Sequence, residues 1–376
     1  MAADRTNADV APASSGKRPR GRLIGLVGAL AALAAVYLSL PRSWFTVPDE
    51  NAPAPVTTST MPAPAAPPAA APPVPDRETL RAAAAQTPLD YGARSRYGMA
   101  LAAVGRGPDA LKEFEAARRL APESPGVHHN LGVFYLNAGQ SARAEAAFCR
   151  ELELAPGDGR AHYFRGLALQ ARRKDAEATR QFEQAVALAP DFPDAYLSLA
   201  LQTTRTAPEA RIRQLVDQYV ALTGNRALGH YVLSGAYRTW KRYAEAAREA
   251  EASVQMEPEN YGYWHNLGQI YSYDRKIADA DRALQRALSL ARDPSTVLIE
   301  LGMNAQKGAR FPDAATYFQK ALAASPSTGN INLYLARAYQ QMGDQAAARK
   351  AEAAFRQWER HKQERRVGTP PAAKGT

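Results

Sequence analysis

The residues able to ligate, attack or transfer protons are few and scattered. The chain has one cysteine, Cys149, which excludes an intramolecular disulfide framework and any cysteine-cluster zinc or iron–sulfur centre. Cys149 follows Phe148 in a segment that reads as helical, and it reads as a structural thiol. Of the histidines, His128 and His129 are adjacent and diverge on a helix, while His162, His230 and His265 lie far apart. A shared metal needs ring nitrogens within ~4 Å of one another, because a zinc–nitrogen bond is ~2.0 Å. Neither a metal nor a cofactor is therefore expected. No Walker loop, no G-x-S-x-G turn and no G-x-G-x-x-G opening a βα unit occurs, and no strand alternation is present to carry one. Catalysis is not expected.

A strict period sets the elements that hold these residues. Pro122, Pro156 and Pro190 are 34 apart, and Pro258 and Pro326 each follow after 68. Gly98, Gly132, Gly166, Ala200, Ser234, Gly268, Gly302 and Ala336 keep the spacing of 34 throughout. So do Ala110, Ala144, Ala178, Ala246, Ala280, Ala314 and Ala348, with Ile212 the exception. Eight units fit one frame: 91–124, 125–158, 159–192, 193–226, 227–260, 261–294, 295–328 and 329–362. In the sixth, Trp264, Leu267, Gly268 and Tyr271 lie on one helix face, and Ala280, Leu284 and Ala287 make a second face after a polar break. Small residues let two antiparallel helices approach closely, and the proline stops the second. The expectation is an all-α array of helix–turn–helix units, with helices near 91–104 and 108–121 repeating by 34, no β-sheet, and a capping segment at 77–90. The last helix should run from about Asp344 to about Arg366, because Gly368 and Pro370 are the first breakers. Its charged face would be the solubilising cap that repeat arrays need.

The motif W264-x₂-L267-G268-x₂-Y271 with Ala280, Leu284 and Ala287, its proline displaced to Pro294, resembles the tetratricopeptide repeat family. Gly166, Ala178, Phe182, Ala185 and Pro190 repeat the resemblance in the third unit. It covers about three quarters of the chain. The resemblance implies an α-solenoid, a right-handed superhelix whose first helices line a concave groove for a peptide or a partner helix. The groove residues implied are His129, Asn130, Val133, Tyr163, Leu167, Leu201, Tyr231, His265, Asn266, Gln269 and Arg337. Aromatic, amide and imidazole groups of this kind suit a polypeptide partner. The Lys/Asn pair of the family's carboxylate-binding members is missing, and so is an unbroken asparagine ladder.

The ends of the chain are different. Residues 23–40 carry no charge, and as a helix they would span ~27 Å, close to a bilayer's hydrocarbon core. Lys17, Arg18, Arg20 and Arg22 precede the run and only Arg42 follows closely, which orients an uncleaved anchor with 1–22 in the cytoplasm. The competing readings are a cleaved signal peptide and a buried helix; the anchor and the signal peptide both put the repeats on the extracytoplasmic side. Ten of the 29 residues from Val47 to Pro75 are proline, so 41–76 is expected to be a disordered linker. Of the net charge of +10, residues 1–50 hold +2 and 356–376 hold +4. The middle is only mildly basic, so no nucleic-acid partner is expected. The expected protein is a non-catalytic scaffold on the inner membrane, tethered in the bilayer through 23–40 and binding a protein or peptide, with a basic tail at 363–376. The alternatives are an accessory, substrate-presenting subunit of an envelope enzyme or assembly machine and, behind it, a nucleic-acid or anionic-surface binder resting on the basic ends.

Two features break the period. In the fourth unit Ile212, Val216, Tyr219, Thr203 and Gly224 stand where siblings mostly carry the repeat residues, which reads as drift, or as a hinge or a widened groove. Glu151 stands where four siblings have alanine, and Arg165 where six have leucine. A lone buried charge would cost several kcal/mol, so a Glu151–Arg165 ion pair within ~4 Å is expected, the alternative being that either chain reaches solvent.

Overall fold

The computed structural model describes residues 77–326 and 328–367. The expected basic segment 1–22, apolar run 23–40 and linker 41–76 lie outside them, as do the stop signals Gly368 and Pro370 and the end of the basic tail. Among the described residues there are seventeen helices and no strand. Helix α1 (Arg77–Gln86) belongs to a first unit ending at Pro88. The second unit holds sixteen helices in pairs. They are α2 (Tyr91–Ala103) with α3 (Gly107–Leu120), α4 (Pro125–Asn137) with α5 (Ser141–Leu154), and α6 (Gly159–Ala171) with α7 (Asp175–Leu188). Next come α8 (Pro193–Thr203) with α9 (Glu209–Thr223), α10 (Arg226–Thr239) with α11 (Tyr243–Met256), and α12 (Tyr261–Tyr273) with α13 (Ile277–Leu290). The array closes with α14 (Ser295–Lys307) and α15 (Phe311–Ala324), then α16 (Asn330–Met342) and the long α17 (Gln345–Val367).

Each pair is held by one close approach. A Cβ on Gly132 would stand 2.5 Å from the ring of Phe148, whose side chain is fully buried. Only a residue without a Cβ lets α4 and α5 cross at this distance. The arrangement recurs with Phe114, Phe182 and Phe318, each fully buried beside its own small residue. Every second helix also packs against the first helix of the next pair. Successive first helices mostly touch one another, and no two second helices pack comparably, so the array is a solenoid that curves with the first helices inside.

Outside the fourth repeat, the turns between paired helices share one geometry. A residue with positive φ follows the first helix, and the next N–H bonds back five residues, as from Gln140 to the Tyr135 carbonyl at 2.8 Å and from Lys276 to that of Tyr271 at 2.9 Å. Between pairs, the ring at the fourth position does more than pack. His128 Nε2 donates to the Pro122 carbonyl at 2.7 Å, the Tyr196 hydroxyl to that of Pro190 at 3.1 Å, and Trp264 Nε1 to that of Pro258 at 2.8 Å; His162 Nε2 stands 3.3 Å from that of Pro156. Each bond ties a repeat to the exit of the one before it.

The fourth repeat is built differently. Thr203 and Thr204 hydroxyls donate to the Leu199 and Ala200 carbonyls at 2.6 and 2.9 Å, ending α8 early. Gly224 terminates α9 at φ 70°, and its N–H bonds the Val220 carbonyl at 2.8 Å. The turn edge of this repeat is fastened to the fifth. Glu209 accepts from Tyr237 Oη at 2.5 Å, from Arg213 Nε at 3.1 Å and from Arg242, and Trp240 Nε1 donates to the Thr204 carbonyl at 2.8 Å. These donors hold the Glu209 carboxyl far down, at about 2. At the far end, Asp344 caps α17 through the Ala347 N–H at 2.9 Å, and Trp358 lies directly over Gly329.

Candidate binding groove

The inner wall comes from the fifth, sixth and ninth residues of the first helices. Burial divides the eleven expected groove residues. His129, Leu167, Leu201, Tyr231, His265 and Gln269 are half-buried, and Arg337 is exposed. Asn130, Val133, Tyr163 and Asn266 are buried instead. Asn266 is taken up by Ser234 and Arg238 on the first helix before it, and Tyr163 is held among Phe164 of its own helix, Phe182 of the second helix and Phe192 of the joint that follows. The expectation that these four line the groove surface is therefore corrected.

The expected Glu151–Arg165 pair is not formed. Glu151, 2% exposed, accepts from His129 Nδ1 at 2.9 Å. Its position on α5 brings it to His129 on the first helix of its own repeat and to Asp158, the cap of the next first helix, rather than to Arg165. The His129 ring is set edge-on against Phe164, with centroids 5.1 Å apart. Burial pushes the Glu151 carboxyl up, His129 opposes the shift, and Asp158 adds to it. Arg165 turns towards Cys149, where its charge works against the burial that raises the thiol. Arg165 Nε is buried without a hydrogen-bond partner.

A connected polar network crosses the fifth to seventh repeats. One Arg238 nitrogen donates to Asn266 Oδ1 at 3.2 Å and to Gln269 Oε1 at 2.8 Å. Asn266 Nδ2 donates to Ser234 Oγ at 2.7 Å, and Gln269 Nε2 donates to Glu300 Oε1 at 3.1 Å. His265 lies beside Gln269 and stacks on Tyr261, with ring centroids 5.6 Å apart. Burial, aided by the Arg238 charge, lowers His265 to about 4, so its imidazole is neutral at pH 7. Burial raises the Glu300 carboxyl against the pull of Gln269, Lys307 and Arg238. Sequence reasoning passed over Arg238 and Glu300. Glu300 had a signal: it holds the sixth position of its unit, where Asn266 stands in the unit before.

Such a wall offers fixed donors, acceptors and ring faces from helices that cannot easily shift. It provides the means to grip a chain-like ligand. The chain belongs to the tetratricopeptide repeat family: models of that repeat match residues 77–125, 129–193, 264–298 and 299–360, more than half of its length. Among curated proteins it is similar to cellulose synthase operon protein C of Xanthomonas axonopodis pv. citri, 28% identical over 257 residues, covering 63% of this chain and 17% of that protein. It is also similar to the human protein O-mannosyl-transferase TMTC3, 25% identical over 188 residues, covering 49% of this chain and 20% of that one. The chain thus spans a fifth or less of the length of these relatives. Among solved structures, a tetratricopeptide repeat protein from Parabacteroides merdae matches with a TM-score of 0.56 at 14% identity, over 65% of this chain and 97% of that one, a likeness of fold alone.

Proposed function

We propose that the protein is a non-catalytic scaffold that holds a protein or peptide partner in the concave groove of a right-handed superhelix. It is anchored in the inner membrane by residues 23–40, with its repeats on the extracytoplasmic side. The observation that carries the binding reading is the network of Arg238, Asn266, Gln269 and Glu300 beside Tyr231 and His265, which presents both hydrogen-bond donors and acceptors. The anchored topology rests on the uncharged run and its basic flank. Affinity capture from a detergent extract tests the first part. Arg238→Ala with Gln269→Ala should lose a partner that an outer-face variant, Arg282→Ala, retains. Equal capture by both would refute the groove. A reporter active only outside the cytoplasm, fused after Thr376, should be active; a silent one, with a cytoplasmic reporter working, refutes the orientation.

A second reading is an accessory subunit that presents substrate to a cell-envelope enzyme. Similarity to the cellulose synthase operon protein C sequences supports it. An activity assay on the isolated complex, with and without this chain, separates it from a plain scaffold.

A further inference from the structure

Asp194 holds the second position of α8, and it is the only acid at that position in the eight units. It is 7% exposed and makes no hydrogen bond or ion pair with a described residue. Arg160, at the same position one repeat earlier, lies over the Phe192 ring at 5.6 Å instead. Burial alone acts on the Asp194 carboxyl and raises it to about 6, so it is mostly charged at pH 7 with no cation beside it. A buried charge without a counter-charge weakens the fold, and nothing in the described chain compensates this one.

Three tyrosines share its neighbourhood. Tyr219 on α9 stands where five of its seven siblings carry alanine or serine, and Tyr263 on α12 where the siblings carry alanine, valine, glycine or isoleucine. Both are buried. Tyr231, half-buried on the groove wall, has its ring 5.3 Å from that of Tyr263. Burial raises the Tyr219 hydroxyl, with Thr223 opposing and the Asp194 and Glu257 charges adding. Burial raises that of Tyr263 as well, and Glu257, Tyr219 and Tyr231 add to it. Five groups from the fourth to sixth repeats are thus close enough to feel one another. Glu257 accepts from Asn260 Nδ2 at 3.0 Å and, like Asp194, is in no ion pair among the described residues. The nearest cation, Arg238, acts on Tyr231 but is held by Asn266 and Gln269. The hydroxyls of Tyr231 and Tyr263 donate to no described residue. The sealed, unpartnered polar atoms among the described residues are Ser95 Oγ, Arg165 Nε and Asn304 Oδ1. The Asp194 oxygens and these two hydroxyls are not with them, so each keeps a small opening to solvent.

Carboxylates and tyrosines gathered without a cation of their own suit a positive charge from outside, through charge-assisted hydrogen bonds and cation–π attraction. We propose that this cluster receives a lysine or arginine side chain of the partner polypeptide, with Asp194 as its counter-ion and Tyr219, Tyr231 and Tyr263 lining the site. Tyr231 belongs to the groove wall and lies within reach of the Arg238 charge, so a strand seated on the Arg238–Gln269 network brings a neighbouring side chain to the acid. The inference rests on the groove reading for its polypeptide source and adds the chemistry of one anchoring residue.

The test titrates the detergent-solubilised full chain, by calorimetry, with blocked tripeptides that carry a central lysine, arginine, glutamine or glutamate between alanines, and with choline. The lysine and arginine peptides should bind, and the glutamine and glutamate peptides should not. Asp194→Asn should weaken the lysine peptide about tenfold or more. Hydrogen exchange of the α8 amides should show that variant at least as well protected as the parent, so a lost fold does not explain the loss. Tyr231→Leu should weaken the same peptide about fivefold, and Arg282→Ala on the outer face should leave it unchanged. The proposal is overturned if neither cationic peptide binds, if the glutamine peptide binds equally, or if Asp194→Asn binds as the parent does. Choline bound more tightly than the lysine peptide overturns the polypeptide source. The groove reading fails separately, when Arg238→Ala with Gln269→Ala still captures the partner; lysine-peptide binding that Asp194→Asn removes upholds the anchoring site even then.

Discussion

The contact between Gly132 and Phe148 gives a quantitative test of how each repeat is closed. A Cβ at residue 132 would lie 2.5, 2.6 and 2.9 Å from three ring carbons of Phe148, closer than real Cβ atoms approach carbon. At an unobstructed helical site, glycine to alanine would stabilise by about 1 kcal/mol. Here Gly132→Ala forces α4 and α5 apart or drives a fully buried ring off its rotamer, which costs about 1–3 kcal/mol. The net effect expected is a loss of about 1–2 kcal/mol. Phe148→Val alone leaves a void and should cost roughly 2–4 kcal/mol. The fourth repeat shows how the two changes fit together, since Ala200 and Val216 hold the corresponding positions there and are 0% and 2% exposed. The Gly132→Ala, Phe148→Val double variant should therefore be at least about 1 kcal/mol more stable than the sum of the two single effects. A repeat array does not unfold as one two-state unit, so hydrogen exchange of the α4 and α5 amides is the appropriate readout. If Gly132→Ala raises protection there, or if the double variant is simply additive, close packing against Phe148 does not set the helix separation.

Three further outcomes follow from other sites. His129→Leu takes the hydrogen-bond partner from the buried Glu151 carboxyl and should cost about 3–5 kcal/mol, whereas His129→Leu with Glu151→Ala should be near neutral; hydrogen exchange of the α4 and α5 amides in the two variants checks this. Asp194 is 7% exposed, and burial raises its carboxyl to about 6. The folded chain therefore binds this proton more tightly than the unfolded chain, whose carboxyl titrates near 4, and stability is lost as pH rises from about 4 through about 6. Asp194→Asn should then stabilise by roughly 2–3 kcal/mol at pH 7 and hardly at all at pH 4, measured by hydrogen exchange of the α8 amides at both values. Trp264→Phe keeps the ring but removes the bond to the Pro258 carbonyl; a loss of about 0.5–1.5 kcal/mol, seen as faster exchange at the joint before α12, is expected.

The helices were legible because a 34-residue period over eight units leaves few ways to place glycine, alanine and proline. The partner of Glu151 was not. Its oddity among alanine siblings showed that something must compensate it, but choosing between His129, 22 residues away, and Arg165, 14 residues away, needs the direction of the twenty-seventh side chain. Period alone does not supply that direction. The groove was half legible for a related reason. Counting by repeat finds the inner face, yet the close approach of neighbouring first helices decides which inner residues stay accessible, and it covers Asn130 and Asn266 while leaving His265 and Gln269 half-open. Arg238 escaped notice because its role depends on two amides from the next repeat.

The bonds from ring to proline carbonyl act as staples along one edge of the array, and they are unevenly distributed. The joints entering the second, third, fourth and sixth repeats have them. The joints entering the fifth, seventh and eighth do not: Leu298 and Asn332 stand in place of the ring at the last two, and at the fifth Gly224 replaces the proline and His230 turns to Glu249 at 2.7 Å. On the opposite edge that same joint is the one clamped by Glu209, Arg242 and Trp240. A seam sewn on one side only opens like a book about its spine. Under a pulling or prying load, that joint would yield by rotation about the Glu209 edge, so that the repeats on either side of it swing as two covers.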